Sequence, residues 1–303
     1  MFLSVIVCTY NRDKHLGRAL ESLIRQDFDK NNYEIIVVDN NSTDNTSEII
    51  KNFKQKYPDF NIITALETHQ GLSFARNKGI ELSRGNYISF IDDDAIARKD
   101  YISKIAFYTR KYPKIFAFGG KVLPRYENGK EPVWMSHYIE RIISIVDMGE
   151  KVKMFKKSYP VGCNMIFKKE IFEKIGGFNT DLRLRSDDKY IFNKIKKAGY
   201  EVLYLPQVVV EHFIDDYRTK KEYVVRISRL NGRAENIRIN TLENGRTLEK
   251  IKRMADYVFK VFASLILWMI FAMKGQWAKG KMLFLSLWNQ LMGFIFPESI
   301  KEY

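Results

Sequence analysis

The stretch LSVIVCTYNR at residues 3–12 is a short apolar run that changes abruptly to polar side chains. The same change occurs in IIVVDNNS at residues 35–42 and in YISFIDDD at residues 87–94. Apolar runs of this length, rich in Val and Ile, predict buried β-strands. In an open α/β sheet, ligands bind beyond the carboxyl ends of the strands. We therefore expect the polar residues that follow these strands to lie together in one site.

Segments with apolar residues at helical spacing, such as residues 16–24, lie between the predicted strands. This alternation predicts an α/β fold with a Rossmann-like, mostly parallel sheet flanked by helices. Further strands are expected at residues 163–167, 201–205 and 208–211, where the alternation ends. We therefore assign residues 1–212 to one α/β domain.

The composition is that of a folded globular protein. The chain has 303 residues, of which 46% are hydrophobic and 28% charged, and this excludes a disordered chain. The net charge of +14 suits a nucleic acid, an anionic membrane or a phosphorylated substrate. The sequence has neither a GxGxxG after the first strand nor a Walker motif, which disfavours dinucleotide oxidoreductases and P-loop NTPases. GxSxG and HExxH are also absent, which disfavours serine hydrolases and zincins.

Two features indicate a cytoplasmic protein. Cys8 and Cys163 are too few and too far apart to form a disulfide framework. The first apolar run lacks the basic segment and the small-residue cleavage site of a signal peptide. We therefore expect the chain to work in a reducing compartment.

The composition changes after residue 212. A basic segment is followed by two apolar stretches, Tyr257–Met273 and Met282–Phe296. Each stretch is shorter than the roughly 20 apolar residues that span a bilayer. We therefore predict that residues 213–303 form a helical, membrane-associating region, peripheral or monotopic on the inner face of the cell membrane. A helical cap packed on the first domain is the alternative.

The aspartates at residues 92–94 are candidates for a metal site. Three consecutive carboxylates repel one another unless a cation or hydrogen-bond donors compensate their charge. Their oxygen atoms suit Mg²⁺ or Mn²⁺. His212 follows the strand at residues 208–211 and would reach the same edge, where an imidazole favours Mn²⁺. The alternatives are a solvated acidic turn for the aspartates and a boundary residue for His212.

Asp187, Asp188 and Arg76 could act directly on a substrate. The two aspartates begin a predicted helix, and one of them could take the proton of a hydroxyl nucleophile. Simple capping of the helix N-terminus is the alternative. Arg76 lies on a predicted helix before the strand that ends in the aspartates, and it could hold a phosphate through paired N–H donors. The alternative for Arg76 is an exposed helical arginine.

Five segments, in this order along the chain, resemble the motifs of family-2 glycosyltransferases of the GT-A fold. The resemblance covers about residues 3–212. The segments are SVIVCTYNR at 4–12, VVDNNSTD at 37–44, ARN at 75–77, FIDDD at 90–94, and SDD at 186–188 with AGY at 198–200. Residues 1–212 would then form a catalytic domain that binds a nucleotide sugar.

The resemblance implies a metal-dependent, inverting hexosyltransferase that uses a nucleotide-diphosphate sugar, usually UDP-linked. The acceptor would be a hydroxyl of a glycan or a polyprenyl-linked molecule in polysaccharide or glycoconjugate synthesis. The sequence has no QxxRW after the acidic pair, which disfavours a processive synthase.

The resemblance also implies the roles of individual residues. Asp188 takes the place of the catalytic base, and Asp187 stands where glutamate is more usual. Asp94 and His212 are the implied ligands of Mn²⁺ or Mg²⁺. The implied donor-sugar pocket consists of Gly162, Cys163 and Asn164. The implied nucleotide-binding residues are Thr9, Tyr10, Arg12, Asp39, Asn41, Arg76, Asp92 and Asp93.

Two other functions remain open from the sequence. A sugar-1-phosphate nucleotidyltransferase would need a glycine-rich basic loop after the first strand, and residues 9–12 contain no glycine. A non-catalytic membrane scaffold that binds nucleotide sugars would agree with Asp187 in place of glutamate. A nucleic-acid partner is disfavoured because the acidic cluster lies at the expected cleft.

Overall fold

The computed structural model describes residues 1–156, 158–182, 186–242 and 247–297. The chain divides into two compact units. The first consists of Met1–Pro124, Ser144–Arg183 and Asp187–Phe213, and the second of Arg125–Ile143, Leu184–Ser186 and Ile214–Tyr303. Residues 125–143, which lie inside the domain predicted from the sequence, therefore belong to the second unit.

A mixed sheet forms the centre of the fold. Within the described residues it has nine strands in the order β3-β2-β1-β4-β8-β6-β9-β5, with β7 paired to β9. The strands are β1 (Leu3–Thr9), β2 (Tyr33–Asp39), β3 (Ile62–Leu66), β4 (Tyr87–Phe90), β5 (Ala95–Ala97), β6 (Ala117–Tyr126), β7 (Lys153–Met154), β8 (Met165–Lys168) and β9 (Val202–Ile214). Their alternation with helices confirms the predicted α/β class.

The sheet has a parallel half and an antiparallel half, so it is mixed and not mostly parallel as the sequence predicts. Strands β3, β2, β1 and β4 pair in parallel. Beyond β4, the pairings of β8 with β4 and β6, and of β9 with β5 and β7, are antiparallel. All seven residues of β2 are buried, as expected for a central strand covered by helices on both faces.

Strands β5, β7 and β9 are among those that differ from the sequence prediction. Residues 202–214 form one strand instead of two, and Pro206 lies between the part paired with β7 and the part paired with β5. Proline has no N–H to donate to a ladder, so within a strand it is confined to positions where that donor is not needed. Strand β5 was not predicted, since three residues are too few to give a periodic signal.

Six helices accompany the sheet within the described part of the first unit. They are α1 (Leu16–Ile24), α2 (Thr46–Lys56), α3 (Leu72–Leu82), α4 (Tyr101–Lys111), α5 (Ile171–Ile175) and α6 (Asp187–Lys197). Helix α1 buries Leu16, Leu20 and Leu23, the apolar positions that the spacing predicts.

The second unit contains three long helices among its described residues, α7 (Lys221–Leu242), α8 (Thr247–Met273) and α9 (Trp277–Ile295). Helix α9 packs against both α7 and α8. A Cβ atom added at Gly232 would lie 2.0 Å from the carbonyl oxygen of Gln290, so α7 and α9 touch backbone to backbone. The Ser228 hydroxyl donates a 3.0 Å hydrogen bond to Ser286 across the same contact. Glycine and serine at these positions are therefore needed for close helix packing.

Helix α8 is longer than the apolar stretch recognised in the sequence, because it begins ten residues earlier, at Thr247. Among the described residues it is the one helix that has the length and apolar composition needed to cross a membrane. Tyr257, Val261 and Ser264 lie on its buried side.

Candidate active site

Polar residues from several strands meet at the carboxyl edge of the parallel half of the sheet. Thr9 ends β1 and is the register partner of Asp39 at the end of β2. The three aspartates follow β4, which pairs with β1 on its other side. The Ile91 amide continues this pairing by donating a hydrogen bond to the Ile6 carbonyl oxygen at 3.1 Å. The topology thus brings three polar strand ends together, as the sequence predicts.

Asp92, Asp94 and His212 form a compact group of possible metal ligands. One ligand atom from each lies within 4.8 Å of the others. His212 is in register with Ala95 of β5, and the Phe213 amide donates a 2.8 Å hydrogen bond to the Asp94 carbonyl oxygen. His212 Nε2 lies 3.1 Å from Asp94 Oδ1. Backbone pairing therefore fixes the imidazole beside the acidic turn.

The carboxylates of this turn lie close to one another, with Asp93 and Asp94 buried and Asp92 half-buried. Burial raises the pKa of Asp93 to about 7, Asp94 adds to the rise, and Arg12 opposes it. Burial also raises the pKa of Asp92, against the opposing effect of Arg76. The Arg12 guanidinium lies 3.7 Å from Asp93 and 3.8 Å from Asp94. Burial first, and the neighbouring carboxylates second, therefore disfavour the charged form of these side chains when no cation is bound.

A divalent cation fits this donor set. Two carboxylates and one imidazole, close together and largely buried, are ligands that Mn²⁺ accepts readily and Mg²⁺ accepts through its oxygen atoms. A cation would also stabilise the charged form of these carboxylates, which burial and their mutual repulsion disfavour. Asp92, which the resemblance places on the nucleotide side, lies in the same group as Asp94 and His212.

Arg76 is buried at the centre of an ionic group. It projects from α3, is only 2% exposed, and bonds through Nη1 to Asp187 Oδ2. Its Nη2 lies 3.4 Å from Asp92 Oδ1. Burial by itself lowers the pKa of Arg76, but Asp187 and Asp92 outweigh that effect and raise the pKa above its ordinary value. Arg76 is therefore a permanent buried cation, and the exposed arginine considered from the sequence is excluded.

The neighbours of Arg76 leave little space around it. Its guanidinium carbon lies 5.4 Å from the ring centre of Phe178 and 5.8 Å from that of Phe90. A Cβ atom added at Gly162 would lie 2.5 Å from Arg76 Nη2. Glycine at position 162 is therefore required to admit the guanidinium. Nothing in the sequence near Phe178 indicated this contact.

The two acidic residues at the start of α6 lie in different environments. Asp187 is buried and paired with Arg76. Asp188 is half-buried, and its Oδ1 accepts a 2.6 Å hydrogen bond from the Lys189 amide. Both carboxylates occupy the first turn of the helix, where the dipole favours negative charge. Of the two, Asp188 is the more accessible to a substrate.

Cys163 and Asn164 lie in the single helical turn that precedes β8. Both are fully buried. The Asn164 amide nitrogen donates to the carbonyl oxygens of Lys121 and Val208, both at 3.0 Å. Its side-chain oxygen accepts a 3.1 Å hydrogen bond from the Tyr101 hydroxyl. These bonds engage the polar atoms of the Asn164 side chain within the protein, and the donor-sugar role of this segment stays a prediction.

The loop that follows β2 is held in one conformation by side-chain hydrogen bonds. Asp39 accepts hydrogen bonds from the Ser42 amide at 2.9 Å and from the Ser47 hydroxyl at 2.5 Å. Asn40 donates to the carbonyl oxygens of Glu67 and His69 and accepts from the Gly71 amide. Asn40 belongs to the polar run that the sequence places after β2, but no individual role was predicted for it.

Asn11 and Asn41 both adopt positive φ, at 53° and 64°. Asparagine tolerates this region better than most residues. The Asn11 side-chain oxygen accepts a 2.8 Å hydrogen bond from the Thr43 amide, so the loops after β1 and β2 are joined. Tyr10 beside them is 46% exposed. The nucleotide-side residues predicted near β1 and β2 therefore share one rigid pair of loops.

Cys8 lies at the end of β1, close to the ionic groups. Burial raises the pKa of its thiol to about 12; Asp92 and Asp93 add to the rise, while Arg76 opposes it. The Cys163 pKa is also raised well above its ordinary value by burial. Neither thiol has the thiolate character of a nucleophile.

The chain is similar to proteins of one glycosyltransferase family. The model of the family Glycosyl transferase family 2 matches residues 4–176. A curated relative, the glucosyl-dolichyl phosphate glucuronosyltransferase of Haloferax volcanii, is 29% identical over 246 residues, covering 74% of this chain and 73% of the relative.

Two solved structures share the fold. The mannosyltransferase PcManGT from Pyrobaculum calidifontis, in complex with GDP-Man and Mn²⁺, superposes with a TM-score of 0.67 at 20% identity, over 98% of this chain and 87% of that one. Residues 1–349 of S. aureus TarS, in complex with UDP, superpose with a TM-score of 0.55 at 17% identity, over 100% and 93%. The chain spans 47% of a longer crystallised form of TarS.

Proposed function

The chain belongs to glycosyl transferase family 2, and on that premise we propose that it transfers a hexosyl group from a UDP-sugar to a hydroxyl acceptor with inversion at the anomeric carbon. The observation that carries this proposal is the edge of the sheet, where the Asp92, Asp94 and His212 group lies in the same ionic cluster as the start of α6. A metal-binding group and a carboxylate base at one strand edge are the parts that such a transfer needs.

The nucleotide would bind at the loops after β1 and β2. Asp39 and Thr9 are suited to the nucleoside because they end adjacent parallel strands at the edge where ligands bind in α/β sheets. Tyr10, Arg12 and Asn41 lie on the same two loops. The hydrogen bonds of Asp39 to Ser42 and Ser47 leave acceptor capacity on its carboxylate, since a carboxylate has about four lone-pair positions.

The diphosphate would lie against the acidic turn. Asp92, Asp94 and His212 would hold Mn²⁺ or Mg²⁺, and that ion would supply a Lewis acid that stabilises charge on the departing nucleoside diphosphate. Asp93 and Arg12 would border the same position. Arg76 would act on this side through Asp92, because its guanidinium is enclosed by Asp187, Asp92 and two aromatic rings.

Asp188 is proposed as the general base. It would accept the proton of the acceptor hydroxyl as the oxygen attacks the anomeric carbon on the face opposite the leaving group. The reaction would be a single displacement without a covalent intermediate, like inverting glycoside hydrolysis with an acceptor in place of water. Asp187 would not share this role, because it is committed to Arg76.

We further propose a lipid-linked or glycan acceptor and a peripheral position on the cytoplasmic face of a membrane. The Haloferax relative is a glucosyl-dolichyl phosphate glucuronosyltransferase by name, and a dolichyl phosphate is a membrane lipid. The basic, apolar helices of the second unit support the same location. The predicted donor-sugar pocket at Gly162, Cys163 and Asn164 belongs to this proposal.

The test compares donor binding with turnover in two variants. Asp188→Asn is expected to lower donor hydrolysis by about 10²- to 10⁴-fold while the donor Kd stays nearly unchanged. Asp94→Ala is expected to lose Mn²⁺-dependent donor binding. The control is Asp59→Asn, an exposed carboxylate in the loop before β3, which should match the wild type in both assays.

Equal loss of donor affinity in Asp94→Ala and Asp188→Asn would contradict the separate roles assigned to them. Full turnover by Asp188→Asn would exclude it as the base. The anomeric configuration of the product, followed by NMR, tests inversion independently of both variants.

A further inference from the structure

Helix α8 exposes a continuous apolar stripe along its whole length. Residues on a helix are separated by about 100° around its axis, so positions three and four apart lie on one face. Seven large apolar side chains follow this spacing, each more than half exposed. They are Leu248, Ile251, Phe259, Phe262, Ile266, Met269 and Met273, with Phe259 71% exposed and Met273 80% exposed.

The opposite face of α8 is the one that packs inside the second unit. Tyr257, Val261 and Ser264 are buried there. The Trp268 ring packs on Phe284 of α9, with 5.7 Å between the ring centres, and approaches Gly280 so closely that a Cβ atom would lie 2.5 Å from it. The exposed stripe is therefore the side of α8 that this helical packing leaves uncovered. A contiguous exposed stripe of large apolar side chains is the kind of surface that marks an interaction site.

The charge around the stripe is strongly positive. Residues 247–297 contain seven lysines and arginines and two acidic residues, Glu249 and Asp256. Lys250, Lys252 and Lys260 lie on α8 itself, and Lys274 follows its end. An exposed apolar face in a region of net positive charge matches the chemistry of an anionic bilayer surface. A second copy of the chain would bring the same positive charge against its own, which disfavours a dimer through this face.

The exposed tryptophans of α9 agree with a bilayer partner. Trp277 is 58% exposed and Trp288 43% exposed. Tryptophan is enriched at the boundary between acyl chains and headgroups, because its ring is apolar and its N–H is polar.

The direction of the stripe indicates how α8 meets the bilayer. The stripe begins at Leu248 and continues past Lys250, Lys252 and Lys260, which lie away from its centre line. If α8 crossed the membrane along its axis, its uncharged part, residues 261–273, would cover only about 20 Å of a core roughly 30 Å thick. A helix that lies in the plane of the surface can bury the complete stripe and keep its lysines at the headgroups.

We propose that the outer face of α8 binds in the plane of an anionic membrane surface and that α9 supports it from behind. This inference rests on the proposed function, since the membrane contact would hold the enzyme beside a lipid-linked acceptor. Its evidence is separate, because no catalytic residue takes part in it.

Vesicle flotation tests the binding. The full chain is expected to float with vesicles of phosphatidylcholine and phosphatidylglycerol, and to float less at high salt or with phosphatidylcholine alone. The double variant Phe262→Asp and Ile266→Asp is expected to bind at least about tenfold more weakly. Both positions are exposed, so the thermal unfolding temperature should stay near that of the wild type. Val133→Asp is the control, an exposed apolar residue of the same unit outside α8.

Depth measurements test the orientation. A polarity-sensitive fluorophore is attached at Leu248→Cys or at Met273→Cys, which lie about 38 Å apart along the helix. An in-plane helix predicts a similar blue shift for both labels on vesicle binding. A shift of the Met273→Cys label alone would indicate axial insertion and overturn the in-plane arrangement.

Two results would overturn the membrane contact altogether. One is a wild-type protein that stays with the aqueous fraction for every vesicle. The other is a dimer, seen by light scattering without lipid, that the double variant abolishes, because the stripe would then be an interface between copies. Donor hydrolysis in the same samples separates the proposals. Hydrolysis without vesicle binding refutes only the membrane contact, and vesicle binding by a protein inactive with every donor refutes only the proposed function.

Discussion

Neutralising Asp187 should destabilise the first unit, whereas the same change at Asp188 should not. In Asp187→Asn the size and shape of the side chain are kept, but the charge opposite Arg76 is lost. The side chains of this ion pair are 3% and 7% exposed, so water cannot compensate the guanidinium. The two variants are a matched pair, adjacent in sequence and identical in chemistry.

The magnitude follows from the burial of the pair. Removing one partner of a buried ion pair typically costs about 3–5 kcal/mol, because the other charge is left uncompensated. Asp92 remains 3.4 Å from Arg76, so we expect the lower end, about 3 kcal/mol. For a unit of this size that is a fall in Tm of roughly 6–12 °C. Asp188→Asn loses a helix-dipole interaction, which contributes about 0.3–1 kcal/mol.

Differential scanning calorimetry without added metal is the appropriate assay. All four tryptophans lie in the second unit, at Trp134, Trp268, Trp277 and Trp288, so their fluorescence would not report on the first. The expected result is a lower Tm for the first unit in Asp187→Asn and a nearly unchanged Tm in Asp188→Asn. Equal stability of the two variants would refute the assignment of Asp187 to Arg76.

Three further results are expected. A Mn²⁺ concentration near 100 times its Kd should raise the unfolding free energy of the first unit by about 2.7 kcal/mol. In His212→Ala, differential scanning fluorimetry with an extrinsic dye should show less than half of the wild-type rise in Tm. An unchanged rise in that variant would exclude the imidazole as a ligand. Gly162→Ala should lower the unfolding free energy by about 1–3 kcal/mol, since the added methyl group meets a buried guanidinium. Gly17→Ala is the control, because the space around Gly17 is open. Denaturant titration followed by circular dichroism compares the two variants, and equal unfolding free energies would contradict the close contact. At pH 8, Cys8 and Cys163 should react with a thiol reagent orders of magnitude more slowly than an ordinary cysteine until the chain is unfolded. For Cys8, a pKa of about 12 leaves roughly 10⁻⁴ of the side chain as thiolate. Fast labelling of either cysteine in the folded protein would contradict this prediction.

The edge of the sheet could be predicted from the sequence because local signals define it. An apolar run that ends in polar residues identifies both a strand and the end that faces a ligand, as in residues 3–12 and 87–94. His212 follows the same logic, since it lies near the end of an apolar strand that returns to the acidic turn.

The partner of Arg76 could not be predicted, because the contact joins residues 111 positions apart. The sequence offered Asp187 and Asp188 as equivalent carboxylates at one helix start. Their separation into a buried and a half-buried residue depends on how α6 packs against α3, and no local pattern encodes that packing. The outer face of α8 was also missed, because a count of apolar residues ignores which side of a helix they occupy.

Nucleotide release from UDP-, GDP- and dTDP-sugars in the presence of Mn²⁺ is the direct test of metal-dependent glycosyl transfer, since slow donor hydrolysis needs no acceptor. We expect the wild type to release nucleotide from a UDP-sugar and Asp94→Ala to lose that release. If Asp94→Ala released nucleotide as fast as the wild type, the metal-dependent site built on Asp92, Asp94 and His212 would be contradicted.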